Sequence, residues 1–129
     1  MPRRIIMVAS AVFMGILGLA AMFAPQELLG RLGTTATPAL ALTIQLLGAL
    51  YLGFAMLNWA AQQSLIGGIY NRPIALANLL HFLSGALALM KGAPAAGTPC
   101  IVLAVLYAAF ASSFAWVMFT SPVPPPDRA

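Results

Sequence analysis

The sequence predicts an all-α fold: an antiparallel four-helix transmembrane bundle with a short interfacial helix between the first and second spans. Three observations carry this. Apolar segments lie at about 5–23, 39–61, 74–90 and 101–119, each near the ~20 residues that a bilayer-spanning helix needs. Charged residues make up 6% of the 129-residue chain and hydrophobic residues 62%, where a soluble domain is roughly a quarter charged. Such a chain cannot clothe a water-facing surface, so its solvent is lipid. Third, the segments are separated by residues that start and stop helices. Lipid offers no partner to backbone polar groups, which leaves helices or closed barrels, and the alternating pattern of a barrel is absent.

The first segment follows Arg3 and Arg4 and resembles a secretory signal in outline. Its apolar run, Ile5–Phe23, exceeds the roughly 7–15 residues of a signal core, and Pro25 sits where cleavage would fall. It reads as a true first helix. The linker APQELLGRLGTTATP places Leu28, Leu29 and Leu32 on one side of a helical turn, with Arg31 opposite. It reads as a short helix lying flat at the interface or as an ordinary loop. Thr37-Pro38 opens the second span with a capping hydroxyl and a first-turn proline, and Thr98-Pro99 opens the fourth in the same way. Asn71-Arg72-Pro73 precedes the third. Gly67-Gly68 and Gly92 stand just past helix ends, where a left-handed residue is useful. Ser121-Pro122 stops the fourth span, and residues 120–129 form a proline-rich, extended tail.

Four spans put both termini on one side. That side carries Arg3, Arg4, Arg72 and Arg128, against Arg31 and Lys91 on the other. The excess places both termini in the cytoplasm and the protein in the inner (plasma) membrane as a multi-pass chain. Trp59, Trp116 and Tyr70 would form an aromatic belt on the cytoplasmic side. Net charge is +4, but the six basic residues are scattered, which argues against a nucleic-acid partner. Cys100 is the sole cysteine, which excludes an internal disulfide and paired-thiol redox chemistry. A buried or interfacial free thiol is the plain reading.

Helices in lipid associate through close backbone approach and interhelical hydrogen bonds. Small residues at four-residue spacing supply the first: Ala11 and Gly15 in the first span, and Ala104, Ala108 and Ser112 in the fourth. The second span has two such faces, Ala49 with Gly53 and Gly48 with Ala55. Two faces imply two neighbours.

The polar residues at depth are the candidate site. In the third span Asn71, Ile74, Asn78, His81, Gly85 and Ala88 recur at helical spacing and share a face. In the second, Gln45, Gly48, Tyr51, Ala55 and Asn58 fall within one arc. Depth from the ~1.5 Å rise per residue puts His81 level with Tyr51 and with Ser112 and Ser113. Asn58, beside Trp59, falls near the interface. Gln45, Tyr51, Asn78 and His81 thus form a candidate polar pocket between the second and third spans. One reading makes them interhelical glue, worth about 0.6–2 kcal/mol per bond. The other makes them a functional pocket, because ionisable groups inside a membrane mark function by default. His81 should face a neighbouring helix in neutral form, since a charge at the bilayer centre costs ~2.5 kcal/mol or more.

No cofactor is required by these residues; a quinone or a tetrapyrrole is what such a pocket would admit. His81 alone supplies a single axial ligand to a partner's cofactor, not a pair. No His/Cys/Asp/Glu cluster offers a metal site, and no acid stands beside a histidine for acid–base work. The only acids, Glu27 and Asp127, lie outside the apolar segments. No catalytic residues are therefore assigned, and an enzyme is the less favoured class.

The first span ends in FAPQELLGRLG and the second opens QLLGALYLGFAMLNW. Over this first half the chain resembles the DoxX-like group of small four-helix bacterial membrane proteins. Those share a proline-containing interfacial turn and a glycine-rich second helix of the LLGxLYLxxG type. The resemblance implies a four-helix membrane fold and an association with quinol oxidases or other membrane redox complexes; it carries over no catalytic residue. Two functions follow as expectations. One is a non-catalytic accessory or scaffold subunit, partnered by other integral membrane chains or by its own copies. The alternative is a binder or carrier of a lipophilic molecule, such as a quinone or lipid, between the second and third spans.

Overall fold

The computed structural model describes residues 2–69 and 71–122, apart from the side chains of Ala93 and Pro94. Tyr70, Asp127, Arg128 and the tail from residue 123 onward lie outside the described residues, so the parts assigned to them above are not placed. Five helices follow in order: α1 (Pro2–Phe23), α2 (Pro25–Arg31), α3 (Pro38–Ala60), α4 (Arg72–Ala96) and α5 (Thr98–Phe119). Among the described residues, four of them, α1, α3, α4 and α5, are long and apolar enough to cross a membrane. They form the antiparallel bundle of a small multi-pass membrane protein, and α2 is the short helix between the first two spans.

The helix limits follow local chemistry, with three departures from expectation. Thr37 caps α3 as its sequence suggests, its hydroxyl accepting from the Leu40 N–H at 3.2 Å. Thr98 does not cap α5. It is already helical, and the N-cap is Gly97, with no side-chain bond. Gly92 does not end α4, which runs on to Ala96. A helix absorbs an internal glycine for about 1 kcal/mol, and the left-handed terminating position falls to Gly97, at φ 94°. In α2, Arg31 does not oppose the leucines; Leu29 turns inward while Arg31 shares a cavity edge with Leu28 and Leu32.

The bundle is built from two pairs. α1 lies along α3, and α4 along α5. In the first pair the contact is backbone on backbone. A Cβ on Gly48 would sit 2.8 Å from the Gly18 carbonyl oxygen, and one on Gly18 3.0 Å from that of Gly48. In the second pair, Gly85 seats the Tyr107 ring, where a Cβ would lie 2.5 Å from Cε1. Of the two small faces expected on α3, Gly48 and Ala55 are buried, whereas Ala49 and Gly53 are exposed.

The pairs meet through Phe13 of α1, whose ring lies 5.1 Å from Phe110, 6.0 Å from Tyr107 and 6.4 Å from Phe82. They are clamped at the end bearing the N-terminus. There Arg3 Nη2 donates to the Thr120 and Ser121 carbonyls, both at 3.1 Å, the favourable place for a cation beyond a helix C-terminus. Its guanidinium also lies 5.0 Å over the Trp116 ring. The loop after α3 seals this end. At Gly67, with φ 112°, a Cβ would collide with the Val117 carbonyl, and the Gly68 N–H donates to the Met118 carbonyl at 3.2 Å.

Single cysteines at Gly33 and Ser121, introduced after Cys100→Ser, should react with a membrane-impermeant maleimide from opposite faces of the membrane. Labelling of both from one face would rule out four spans.

Candidate functional site

Two polar layers cross the bundle interior. The first joins three helices. Asn58 of α3 and Asn78 of α4 exchange amide hydrogen bonds: Asn58 Nδ2 donates to Asn78 Oδ1 at 2.7 Å, and Asn78 Nδ2 to Asn58 Oδ1 at 2.8 Å. The remaining Asn58 hydrogen goes to Ser10 Oγ of α1 at 3.0 Å, and that of Asn78 to the Ile74 carbonyl at 2.9 Å. Ser10 in turn donates to the Met7 carbonyl at 2.9 Å. All three side chains are completely buried. Asn58 was expected nearer the membrane surface than Asn78; the two amides instead lie level with each other. Asn58 points to the interior and Trp59 points outward, because adjacent helix positions face about 100° apart.

The second layer is aromatic and lies about one helical turn nearer the α2 end. Tyr51 of α3 and Tyr107 of α5 place their hydroxyls 2.6 Å apart, and the Tyr107 hydroxyl lies 3.2 Å from His81 Nε2 of α4. With His81 protonated on Nδ1, the chain of donation runs Tyr51 to Tyr107 to His81; the other tautomer reverses the last bond. The imidazole stacks on Phe54 at 5.4 Å and meets the Phe82 ring edge-on at 4.9 Å. His81 thus faces its neighbours α3 and α5. Its partner on α5 is Tyr107 rather than Ser112, whose exposed hydroxyl returns to the Ala108 carbonyl of its own helix at 2.9 Å. Tyr107 is the residue that sequence reasoning missed. In the structure it lies with Ala104, Ala111 and Phe114 on the buried face of α5.

The four residues expected to share a pocket are dispersed. Tyr51 and His81 meet in the aromatic layer, their rings 5.5 Å apart. Asn78 belongs to the amide layer. Gln45 is elsewhere, its Nε2 donating to the Met22 carbonyl at the end of α1 at 3.2 Å.

An open volume does exist, in a different place. Toward the α2 end, beyond Tyr51–Tyr107, no hydrogen bond or ring contact joins the two pairs among the described residues. A cavity of about 270 Å³ lies there, under α2. Leu17 and Ala21 of α1, Ile44 and Leu47 of α3, and Leu103 of α5 form its apolar walls, and Tyr51 its inner end. Arg31 stands at its edge with Leu28 and Leu32. The cavity is thus bounded by α1, α2, α3 and α5 rather than by α3 and α4.

The chemistry on offer is limited. No group of three or more His, Cys, Asp or Glu side chains comes together among the described residues. Tyr107 takes the Nε2 of His81, so an axial bond to a tetrapyrrole would have to displace that tyrosine or use Nδ1. Comparison with protein-family models, curated proteins and solved structures finds no match to this chain.

Two substitution sets test the layers. Asn58→Leu alone strands the Asn78 amide and should lower stability by about 1–3 kcal/mol. Asn58→Leu with Asn78→Leu should lose less than the two single changes added together, as read by reversible unfolding in mixed micelles. Additive losses would show that the amides are not coupled. In the second layer, Tyr107→Phe removes both hydroxyl bonds, whereas His81→Gln keeps a polar group for Tyr107. The first should cost more, by roughly 0.6–2 kcal/mol, in the same assay; the reverse order would take the hub role from Tyr107.

Proposed function

We propose that this protein is a non-catalytic accessory or scaffold subunit of a larger integral membrane complex, with both termini in the cytoplasm. The observation that carries this reading is the outer face of α3. Only Gly48, Ala55 and Asn58 of that helix are buried in the bundle. On its opposite side Leu46, Ala49, Leu50, Gly53, Met56 and Ala60 form a continuous exposed stripe at helical spacing, and a Cβ at Gly53 would meet nothing within 4 Å. Small residues of this kind let a second helix approach its backbone closely. The polar groups inside the bundle support the same reading, since they are engaged with one another and offer no reactive constellation. The resemblance to the DoxX-like group is the ground for making the partner a redox complex.

A specific observation favours a second reading, the binding of a lipophilic molecule. The cavity under α2 is apolar along its walls and carries a polar group at each end, the usual form of a small-molecule site. Its place shifts the expected ligand site from α3 and α4 to the other side of Tyr51.

Gly53→Leu tests the first reading. The change meets no atom in the bundle, so folding should be unaffected. Chains that co-purify with the wild type in mild detergent should fall by roughly threefold or more, the effect of a helix contact worth ~0.6–2 kcal/mol. A wild type that purifies as a lone, stable monomer would overturn the subunit reading.

A further inference from the structure

We propose that the cavity under α2 holds part of one acyl chain of an anionic phospholipid, with the lipid phosphate bound by Arg31. The proposal rests on the second functional reading, that the cavity takes a lipophilic molecule, and names its class. Size decides the tail. One turn of helix with its side chains is a cylinder ~10 Å across and ~5 Å long, roughly 400 Å³. A cavity of about 270 Å³ is too small for a partner helix and suits a stretch of a narrow, flexible chain. Shape agrees, because the α3 wall from Ile44 to Tyr51 extends about 10 Å along the helix axis. An acyl chain would enter at the α2 level and end against Tyr51, whose hydroxyl is already engaged by Tyr107. With His81 protonated on Nδ1 the Tyr51 hydrogen goes to Tyr107, so the inner end presents no donor that a hydrocarbon chain would strand.

Charge decides the head. Arg3 and Arg4 both have hydrogen-bond acceptors within the chain, whereas Arg31 has none among the described residues. It is exposed, in the last turn of α2, and it is the charged residue among those lining the cavity. Glu27 lies one turn earlier in α2 and does not line the cavity. A guanidinium presents a planar fork of donors that matches a phosphate. Headgroup and tail would thus meet complementary chemistry at the spacing a phospholipid imposes, the phosphate at the α2 level and the chain running inward.

The full-length protein is reconstituted in nanodiscs of phosphatidylcholine with a minor share of phosphatidylglycerol, the acyl chains being identical. After release into mild detergent, retained lipid is read by native mass spectrometry. One phosphatidylglycerol should be kept per chain, enriched about fivefold over its share in the membrane, the effect of one cation near anionic lipid. Arg31→Gln should abolish the enrichment, and Arg31→Lys should keep part of it. Lys91→Gln, a cation that does not line the cavity, should leave it unchanged. Leu47→Trp, which fills the wall, should remove bound lipid of both kinds. Retention in proportion to membrane composition, or equal losses in Arg31→Gln and Lys91→Gln, would overturn the anionic-lipid assignment. If Leu47→Trp still expels a neutral lipid in that case, the cavity reading survives without it; bound lipid indifferent to Leu47→Trp removes both. A second copy of the chain retained in place of lipid would also overturn the assignment.

Discussion

The reciprocal amide bond between Asn58 and Asn78 is the contact on which the rest of the bundle depends. In a hydrocarbon solvent one apolar helix face is much like another, and burying leucine gains nothing over leaving it in lipid. Two pairs of apolar helices could therefore slide past each other at little cost. A buried amide removes that freedom, because an unpaired donor in a low dielectric costs far more than an imperfect methyl contact. With both amides and Ser10 fully buried and mutually bonded, α1, α3 and α4 share one axial register. The Tyr51–Tyr107–His81 layer then falls into line about one turn along, bringing α5 into the same register.

Within each pair a different device operates. α1 and α3 are joined by backbone contact at Gly18 and Gly48, and α4 and α5 by the Tyr107 ring seated on Gly85. Close approach of this kind gains dispersion contacts that lipid chains cannot match as well. The two pairs are stiff units, and the polar layers act as the joint between them. Arg3 adds a clamp at one end, where it holds the last carbonyls of α5.

The joint is polar at one end of the bundle and open at the other. Bonds between the pairs are gathered from the Arg3 end to the Tyr51 level, and the α2 end is left with a cavity. Groups that could do chemistry are used inside the bundle to hold it together. What faces outward is the small-residue stripe of α3 and the edge of the cavity with its arginine.

The sequence by itself determined the class of the protein. Segment length, the scarcity of charge and the breaks at Pro25, Pro38 and Gly67-Gly68 are local properties, and bilayer thickness converts them directly into four spans. It also singled out His81, Tyr51 and Asn78 as residues of the interior, since polar groups in an apolar helix must turn away from lipid. It did not determine which of them would meet. Asn58 shared an arc with Tyr51 but was expected at a level nearer the membrane surface than Asn78; only the packing of α3 against α1 and α4 brought the two amides level. Tyr107 was hidden because α5 is apolar on every side, so no stripe distinguished its buried face before a neighbour selected one. Likewise Ala49-Gly53 and Gly48-Ala55 were equivalent faces in the sequence, and the contact of Gly48 with Gly18 chose between them. Hydropathy in a membrane protein reports contact with lipid against water, and here nearly every face is apolar. The choice between helix and lipid as a neighbour rests on close packing and paired hydrogen bonds, and these exist only once the chain has brought distant segments together.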